Sequence, residues 1–454
     1  MNGERDASGS SPMLGRETPL TAQQGAAKSC TSSDCSPESS VDALNQTCFC
    51  VTIDESDLRK SLHGEFSDIF SPAMWSRHEH LFATSPVFVD QSTLQTMASV
   101  VASIEEVVRT RAFQDAVMAW APEIARFDPG PLGGLLGYDF HLTASGPRLI
   151  EINTNPGGAF LNAVLGRFQR QCCKDEEGFA TAPVGVVAER WLVEVFIGEW
   201  RMQRGDTPLR VVAIVDDAPP EQYLYPEFLL VGELLRRRGM DAIVCDPRDL
   251  VARGGRLYHG DAPIDLIYNR LTDFSLASPE HAAIKAAYVA GTVVLTPHPR
   301  AHALYADKRN LTLLCDPAFL ARSGASDGAV AVVQQAVPET QVVTAENRQR
   351  LWSRRRDLFF KPATGYGSRA AYRGDKLTKR VWDQISLSPY VAQNVIVPSQ
   401  RRIGPSSEQA HKVDVRVYAY AGEVKLVAAR MYRGQTTNMR TPGGGFSPVL
   451  TFPQ

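Results

Sequence analysis

The sequence has few cysteines, no long uninterrupted apolar segment and no excess of charge of either sign. Its eight cysteines in 454 residues include no C-x-x-C pair, which excludes a disulfide-stabilised scaffold. The most apolar helix-like segment, residues 183–200, contains four charged residues and is not expected to span a membrane. Lysine plus arginine number 48 against 50 aspartate plus glutamate, so nothing favours nucleic-acid or membrane-surface binding. With no signal-like N-terminus, we expect a soluble, cytoplasmic protein with reduced thiols.

The chain is long enough for two or three domains. Apolar residues at helical spacing predict long helices over residues 91–126 and 184–203. From residue 210 to 296 the pattern alternates as β-α-β-β-α-β, which predicts a small α/β domain with a mostly parallel sheet. The predicted segments are a largely disordered N-terminal stretch (1–58), a helical region containing an acidic hairpin (59–205), the small α/β domain (206–305) and a strand-rich C-terminal region (306–454).

An acidic hairpin is predicted within residues 135–158. If a five-residue loop over 143–147 joins its strands, Asp139 lies directly opposite Glu151. Asn153 then shares their face, because side chains alternate along a strand. Two carboxylates and an amide without His or Cys suit Mg²⁺ or Mn²⁺. The alternative interpretation is a solvated polar face on an edge hairpin.

A lysine and a glycine-rich loop form a second motif. A strand ends at Lys361, and the loop after it can offer backbone N–H groups to a phosphate. The loop residues are Gly365, Tyr366, Gly367 and Ser368. Because the loop also satisfies G-x-G-x-x-A, a dinucleotide-binding site stays open as an alternative, although a lysine before the loop suits a nucleoside triphosphate better. A plain flexible hairpin is the remaining alternative.

An arginine-bearing hairpin is predicted over residues 413–432. A three-residue loop over 420–422, with its glycine left-handed, places Arg416 and Arg430 on one face with Asp414. Such a pair forms an anion clamp suited to phosphate oxygens or to a substrate carboxylate. The alternative is a solvated outer face.

Together these motifs resemble the ATP-grasp superfamily, in particular carboxylate–amine ligases such as glutathione synthetase. The resemblance implies that Lys361 and an earlier lysine, Lys308 in A-D-K-R-N, bind nucleotide phosphates with the loop from Gly365 to Ser368 as a lid. It further implies that the strand containing Val391 and Gln393 forms the wall for the nucleotide, with Gln393 at the position of a ribose-binding glutamate. Arg416 and Arg430 would be catalytic, and Asp139, Glu151 and Asn153 would hold the metal, with Asp139 replacing an acidic ligand that this sequence lacks beside its K-P motif.

The order of the motifs resembles the circular permutation of eukaryotic-type glutathione synthetase, because E-I-N-T precedes the small α/β domain. The fold implied is α/β (α+β): a circularly permuted ATP-grasp fold with an inserted Rossmann-like pre-ATP-grasp domain. Asn269 and Arg270, in Y-N-R-L-T-D, are candidates for binding the substrate carboxylate, and a structural ion pair between Arg270 and Asp273 is an equal alternative.

The implied function is an ATP-dependent carboxylate–amine ligase that uses Mg-ATP and an acyl-phosphate intermediate. Its partners would be small-molecule carboxylates and amines, amino acids or a short peptide among them, and a homodimer is one option for its assembly. Three alternatives remain: an ATP-binding regulatory protein or a phosphotransferase on the same fold, and an NAD-dependent dehydrogenase.

Overall fold

The computed structural model describes residues 40–49, 52–167, 180–181, 186–365, 370–385, 387–404, 410–435 and 437–451. The first forty residues, expected to be disordered, lie almost entirely outside this part. No helix within these ranges combines the length and the apolar character needed to cross a membrane.

The described residues form many short elements. The strands are, in chain order, β1 (Val87–Phe88), β2 (Leu136–Thr143), β3 (Gly146–Asn153), β4 (Ala180–Thr181), β5 (Val211–Val215), β6 (Asp241–Cys245), β7 (Leu250–Arg253), β8 (Arg256–His259), β9 (Ala262–Pro263), β10 (Leu266–Asn269), β11 (Val294–Thr296), β12 (Thr340–Val342), β13 (Leu358–Pro362), β14 (Tyr372–Arg373), β15 (Tyr390–Asn394), β16 (Ser399–Arg401), β17 (His411–Tyr420), β18 (Glu423–Tyr432) and β19 (Gly445–Thr451). The α-helices are α1 (Val41–Thr47), α2 (Glu55–Glu65), α3 (Pro72–Arg77), α4 (Gln91–Arg109), α5 (Arg111–Val117), α6 (Ala159–Arg167), α7 (Val186–Arg204), α8 (Tyr225–Arg236), α9 (Ala282–Val289), α10 (Pro299–Ala301), α11 (Asn310–Leu314), α12 (Pro317–Ala321), α13 (Asp327–Ala336), α14 (Arg348–Ser353) and α15 (Lys379–Ile385).

The largest sheet, called here the core sheet, joins strands from both ends of the chain. Its main order is β1-β19-β18-β17-β2-β3, with β16 beside β17 and β4 beside β19. The strand β2 pairs with its hairpin partner β3 on one side and with β17, far along the chain, on the other. One face packs against α4, whose buried residues recur at helical spacing. The acidic and arginine hairpins are neighbours in this sheet, and their charged side chains lie on its other face.

The small α/β domain was predicted correctly in its essentials. Its sheet has the order β11-β10-β5-β6, and all three pairings are parallel. The strands are almost wholly apolar because helices and loops cover both faces. A three-stranded antiparallel sheet, β7-β8-β9, is attached to this domain.

A separate antiparallel sheet of order β12-β15-β13-β14, called here the lid sheet, holds the lysine motif. Its own small core is built around Trp382 and Phe360. A dinucleotide-binding loop requires a parallel β-α-β unit. Because β13 pairs antiparallel with both of its neighbours, the dinucleotide alternative is wrong.

The predicted helix over residues 91–126 is also wrong in its length. It ends at Arg109, and Thr110 takes an extended conformation with φ −68° and ψ 143°. The Thr110 hydroxyl accepts the N–H of Phe113 at 3.2 Å and so caps a second helix, α5. Both helices contribute buried residues to the same apolar core, so burial does not reveal the break between them.

Residues that the sequence assigned to the N-terminal stretch include the short helix α1. Arg401, fully buried, donates to the carbonyl oxygens of Leu44, Asn45 and Cys48 at the end of this helix, at 2.6 to 3.2 Å. A cation at a helix C-terminus satisfies carbonyl groups that have no partner within the helix. This contact holds α1 against β16.

Candidate functional site

A cleft lies between the core sheet and the lid sheet, and side chains of both sheets line it. Predicted site residues on its wall are Asp139, Glu151, Lys308, Lys361, Gly365, Gln393 and Arg430. The structure therefore brings the acidic hairpin, the lysine motif and the arginine hairpin to one place.

The acidic hairpin reaches the predicted register by a different route. A two-residue turn joins Thr143 to Gly146, in place of the predicted five-residue loop, and this alone would set Asp139 opposite Ile150. A bulge at Ile150 then shifts the pairing by one residue, so that Asp139 faces Glu151 as predicted. The loop prediction was wrong and the pairing is confirmed.

The arginine hairpin shows the same compensation. Its turn is the two-residue Ala421–Gly422, with φ of 54° and 84°, and a bulge follows between Tyr418 and Ala419 in the pairing. Both turn residues take the left-handed region that this type of hairpin turn requires. Arg430 lies directly opposite Asp414, and Arg416 is opposite Asp139 on β2. The three-residue loop was wrong, and the shared face is confirmed.

Asp139 is the centre of a buried charge cluster. Arg416 donates to both of its oxygens, at 2.5 and 2.7 Å, and Arg430 donates at 2.7 Å. Burial raises the pKa of Asp139, but the two guanidinium charges outweigh it and hold the pKa below its usual value. The carboxylate therefore stays ionised, and it fixes both arginines.

Glu151 lines the cleft beside this cluster, and Asn153, two residues further along β3, is not among the residues of the cleft wall. The Asn153 amide nitrogen contacts an oxygen of Asp139 at 3.1 Å and one of Glu151 at 3.3 Å. The Asn153 side chain thus points its NH₂ group at the two carboxylates. Rotation of the amide by about 180° would place its oxygen there instead, where it could bind a cation. The described residues hold no group of three or more His, Cys, Asp or Glu that fits a metal. The set suits an ion such as Mg²⁺ that takes few protein ligands and completes its shell with phosphate and water oxygens.

Two lysines meet in the cleft from different parts of the chain. Lys361, almost fully buried, donates to the Ile150 carbonyl at 3.0 Å and to the Gln393 side chain at 2.8 Å. Burial lowers its pKa to about 8, although the charge of Glu151 opposes the shift. Lys308 donates to the Gly365 carbonyl at 3.1 Å, and its Nζ lies 3.9 Å from Glu151 Oε2. Both cations are held mainly by neutral oxygens.

The remaining nucleotide predictions have mixed outcomes. Gln393 lines the cleft, where its amide oxygen accepts from Lys361. Val391 does not line it, because it is fully buried beside Lys361 in the lid sheet. The cleft wall continues instead from Asn394 to Ile396. The lid residues Tyr366, Gly367 and Ser368 lie outside the described part of the chain.

The two substrate candidates also separate. The Asn269 side chain donates to the Pro297 carbonyl at 3.1 Å and accepts the N–H of Leu271 at 3.1 Å, so both ends of its amide have partners within the fold. Arg270 contacts the Tyr268 hydroxyl at 3.0 Å, while its buried Nε has no hydrogen-bond partner among the described residues. Asp273 accepts from Ser278 and His281 rather than from Arg270.

Sequence reasoning missed His141. It lies two residues from Asp139 on the same face of β2, and it contacts the Ile396 carbonyl at 2.7 Å and Asp414 at 2.9 Å. Asp414 also accepts from Tyr432, Thr437 and Arg430. Burial raises the pKa of Asp414, but the bond from His141 and the charge of Arg430 lower it to about 2. The alternation that placed Asn153 beside Glu151 would have found His141.

Comparison with solved structures identifies the fold. The chain superposes on a glutathione synthetase-like effector of Globodera pallida with a TM-score of 0.51 and 9% identity, over 81% of this chain and 89% of that one. A putative γ-glutamylcysteine synthetase of Methylobacillus flagellatus matches with a TM-score of 0.45 and 11% identity, over 79% and 88%. An ATP-grasp ligase, PsnB, with a minimal precursor matches with a TM-score of 0.31 and 16% identity, over 53% and 76%.

No protein-family model matches the sequence, and neither does any curated protein. The first superposition covers most of both chains and supports the fold alone, since identity is low. The fold is the ATP-grasp fold of the glutathione synthetase type.

Proposed function

We propose that the protein is an ATP-dependent ligase that joins a carboxylate to an amine through an acyl phosphate. The observation that carries the proposal is the convergence of Lys308, Lys361, Glu151 and Arg430 on one cleft. Among the described residues Lys361 has no close carboxylate, and Lys308 Nζ lies 3.9 Å from Glu151 Oε2. Two such cations suit the oxygens of a triphosphate, and the arginines suit charge that develops during phosphoryl transfer. Fold likeness alone would leave the chemistry open.

Magnesium is the metal that the donor set favours. Glu151 and Asn153 would hold it, and when bound it would neutralise charge on the phosphates. Asp139 already accepts from both arginines, so its main work in this proposal is to orient Arg416 and Arg430. Lys361 and Lys308 would bind phosphate oxygens, and Arg430 would stabilise the oxygens of the transferred group.

Arg270 is the best candidate for the substrate carboxylate. Strands β5 and β10 are neighbours in the sheet. The connection from β5 to β6 runs towards one edge and the connection from β10 to β11 runs towards the other, which marks the position where ligands bind in such sheets. Asp216 follows β5 there, and burial raises its pKa to about 6 despite the charge of Arg270. A buried cation and a carboxylate side by side suit a substrate with both carboxylate and amine, such as an amino acid or short peptide.

Because Gly157 has no side chain, the turn that follows Asn153 can approach Arg270 closely. A Cβ atom at Gly157 would lie 2.1 Å from Leu224 and 3.6 Å from Arg270 Nη2. The turn is therefore in contact with the small α/β domain, and a substrate there would reach towards the cleft. The substrate would dock between the small domain and the core sheet.

Release of ADP and phosphate from Mg-ATP tests the proposal. Pools of carboxylates and amines are screened in pairs, and products are identified by mass analysis. ADP release that depends on both substrates supports a ligase. A stable phosphorylated product without an amine would indicate a phosphotransferase, and failure to bind Mg-ATP would overturn the proposal.

A further inference from the structure

His141 joins two parts of the molecule that are built separately. Its side chain is 13% exposed and lies in the cleft wall. One ring nitrogen, Nδ1, is 2.7 Å from the carbonyl oxygen of Ile396, and the other, Nε2, is 2.9 Å from Asp414 Oδ1. Both partners are hydrogen-bond acceptors, and each ring nitrogen lies within hydrogen-bond distance of one of them. The imidazole ring thus contacts a different partner through each of its two nitrogens.

The Ile396 side belongs to the lid sheet. Strand β15 ends at Asn394, and Ile396 lies where the chain leaves this sheet for the core sheet. The same stretch forms cleft wall, only a few residues beyond Gln393, which holds Lys361. The stretch from Gln393 to Ile396 is called here the nucleotide wall. A contact that fixes the Ile396 carbonyl therefore fixes the position of this wall relative to β2.

The Asp414 side leads to the arginine pair. Asp414 Oδ2 accepts from Arg430 Nη2 at 3.2 Å, and the same nitrogen contacts Asp139 Oδ2 at 2.7 Å. Arg416 completes the chain of alternating charges on the other side of Asp139. A shift of Asp414 would therefore move the guanidinium group of Arg430.

We propose that His141 is a positioning residue that couples the nucleotide wall of the cleft to the catalytic arginine Arg430. Its Nδ1 bond sets the place of the wall and so the affinity for nucleotide. Its Nε2 bond holds Asp414 and so the place of Arg430 during phosphoryl transfer. This inference rests on the proposed function, since it assigns the two bonds to two steps of that reaction.

Two substitutions separate the two bonds. In His141→Asn the side-chain amide can take the place of Nδ1 and keep the bond to Ile396, while the bond to Asp414 is lost. In His141→Gln the longer side chain can take the place of Nε2 and keep the bond to Asp414, while the bond to Ile396 is lost. Each variant therefore keeps one of the two proposed functions.

The measurements are the dissociation constant for Mg-ATP by calorimetry and the steady-state kcat and KM with the substrate pair found by the screen. We expect His141→Gln to weaken Mg-ATP binding about tenfold with kcat nearly kept, and His141→Asn to lower kcat about tenfold with binding nearly kept. His259→Gln, in the β7-β8-β9 sheet away from the cleft, is the matched control. Thermal unfolding of each variant shows that the fold is intact.

Equal effects of the two substitutions on affinity and on kcat would overturn the coupling, as would a wild-type-like result for both. If either variant fails to fold, the other still tests its own bond. The two failures are distinguishable: a wild-type protein that does not bind Mg-ATP overturns the proposed function, whereas binding without the split between the variants overturns only the role of His141.

Discussion

On the core-sheet wall of the cleft, Asp139 and Asp414 each lie within 3.2 Å of arginine nitrogens. On the lid-sheet wall, Lys361 instead meets a backbone carbonyl and an amide oxygen, at 3.0 and 2.8 Å. No carboxylate of the described residues lies within ion-pair distance of its Nζ. The two arginines of the first wall are balanced by these aspartates before any ligand arrives, whereas Lys361 on the second wall has a positive charge that a ligand can neutralise. Rigid arginines and a lysine without a carboxylate partner are what a site for transferring a phosphoryl group requires.

Removal of the charge of Glu151 is expected to have the largest effect on turnover. Glu151→Gln keeps the size and 28% exposure of this side chain but removes the carboxylate proposed for the metal. We expect kcat to fall about a thousandfold or more, the equivalent of several kcal/mol, with the melting temperature unchanged. Steady-state assays at varied Mg²⁺ measure it. Full activity would show that the metal assignment is wrong, and Glu423→Gln, on an exposed side chain, is the control.

Loss of the charge of Asp139 tests the balanced wall through stability. Asp139→Asn leaves Arg416 and Arg430 buried without their shared carboxylate, and this type of change costs about 3–5 kcal/mol of unfolding free energy. Urea unfolding measures the change. The control is Asp383→Asn, which breaks the ion pair between Asp383 and Arg348, with side chains 58% and 34% exposed. We expect it to cost under about 1 kcal/mol of unfolding free energy. Similar costs at the two sites would mean that the arginines do not depend on Asp139.

Replacement of Lys361 tests the unbalanced wall. Lys361→Met removes a buried cation that has no close carboxylate, so we expect nucleotide affinity to fall about a hundredfold without loss of stability. Calorimetric titration with Mg-ATP and urea unfolding measure the two quantities. The matched control is Lys376→Met, an exposed lysine of the same part of the chain. A clear loss of stability in Lys361→Met would contradict the comparison of the two walls.

The pH dependence is the smallest expected effect. Burial lowers the pKa of Lys361 to about 8, below the ordinary 10.5. Between these values the folded protein loses a proton that the unfolded chain keeps, so Lys361 contributes a rise of stability with pH. Nucleotide affinity should instead fall about tenfold per pH unit above 8, because the ammonium is lost. Lys361→Arg should flatten both trends, and unchanged trends would assign them to another group.

The sequence predicted the pairings of the site better than the loops that create them. Asp139 faces Glu151, and Arg416 shares a face with Arg430, although both predicted turns were wrong. Which face of a strand a side chain occupies changes with each residue by which the pairing is shifted. A turn of a different length shifts the pairing, and a one-residue bulge can shift it back. The alternation of apolar and polar residues indicates which side chains share a face, but it does not reveal where a bulge lies.

Tertiary packing decides which of the predicted residues reach the cleft. Asn269 looked available because it follows a strand, yet its amide is used by Leu271 and Pro297, which only the folded chain brings to it. Val391 was expected at the cleft, yet it is fully buried opposite Lys361 in the lid sheet and does not line the cleft. Strand alternation places His141 on the face of Asp139, but its role was missed because its two partners lie 255 and 273 residues away. Contacts at such separations leave no local pattern.

The pairing of β2 with β17 has a consequence for biosynthesis. Asp139 and Arg416 are 277 residues apart, so the first leaves the ribosome roughly 15 to 55 s before the second. During this interval the β2–β3 hairpin has an open edge and a carboxylate without its guanidinium partners. Protection of nascent chains by a chaperone, or slow refolding of the purified protein from denaturant, is the expected result of this late closure.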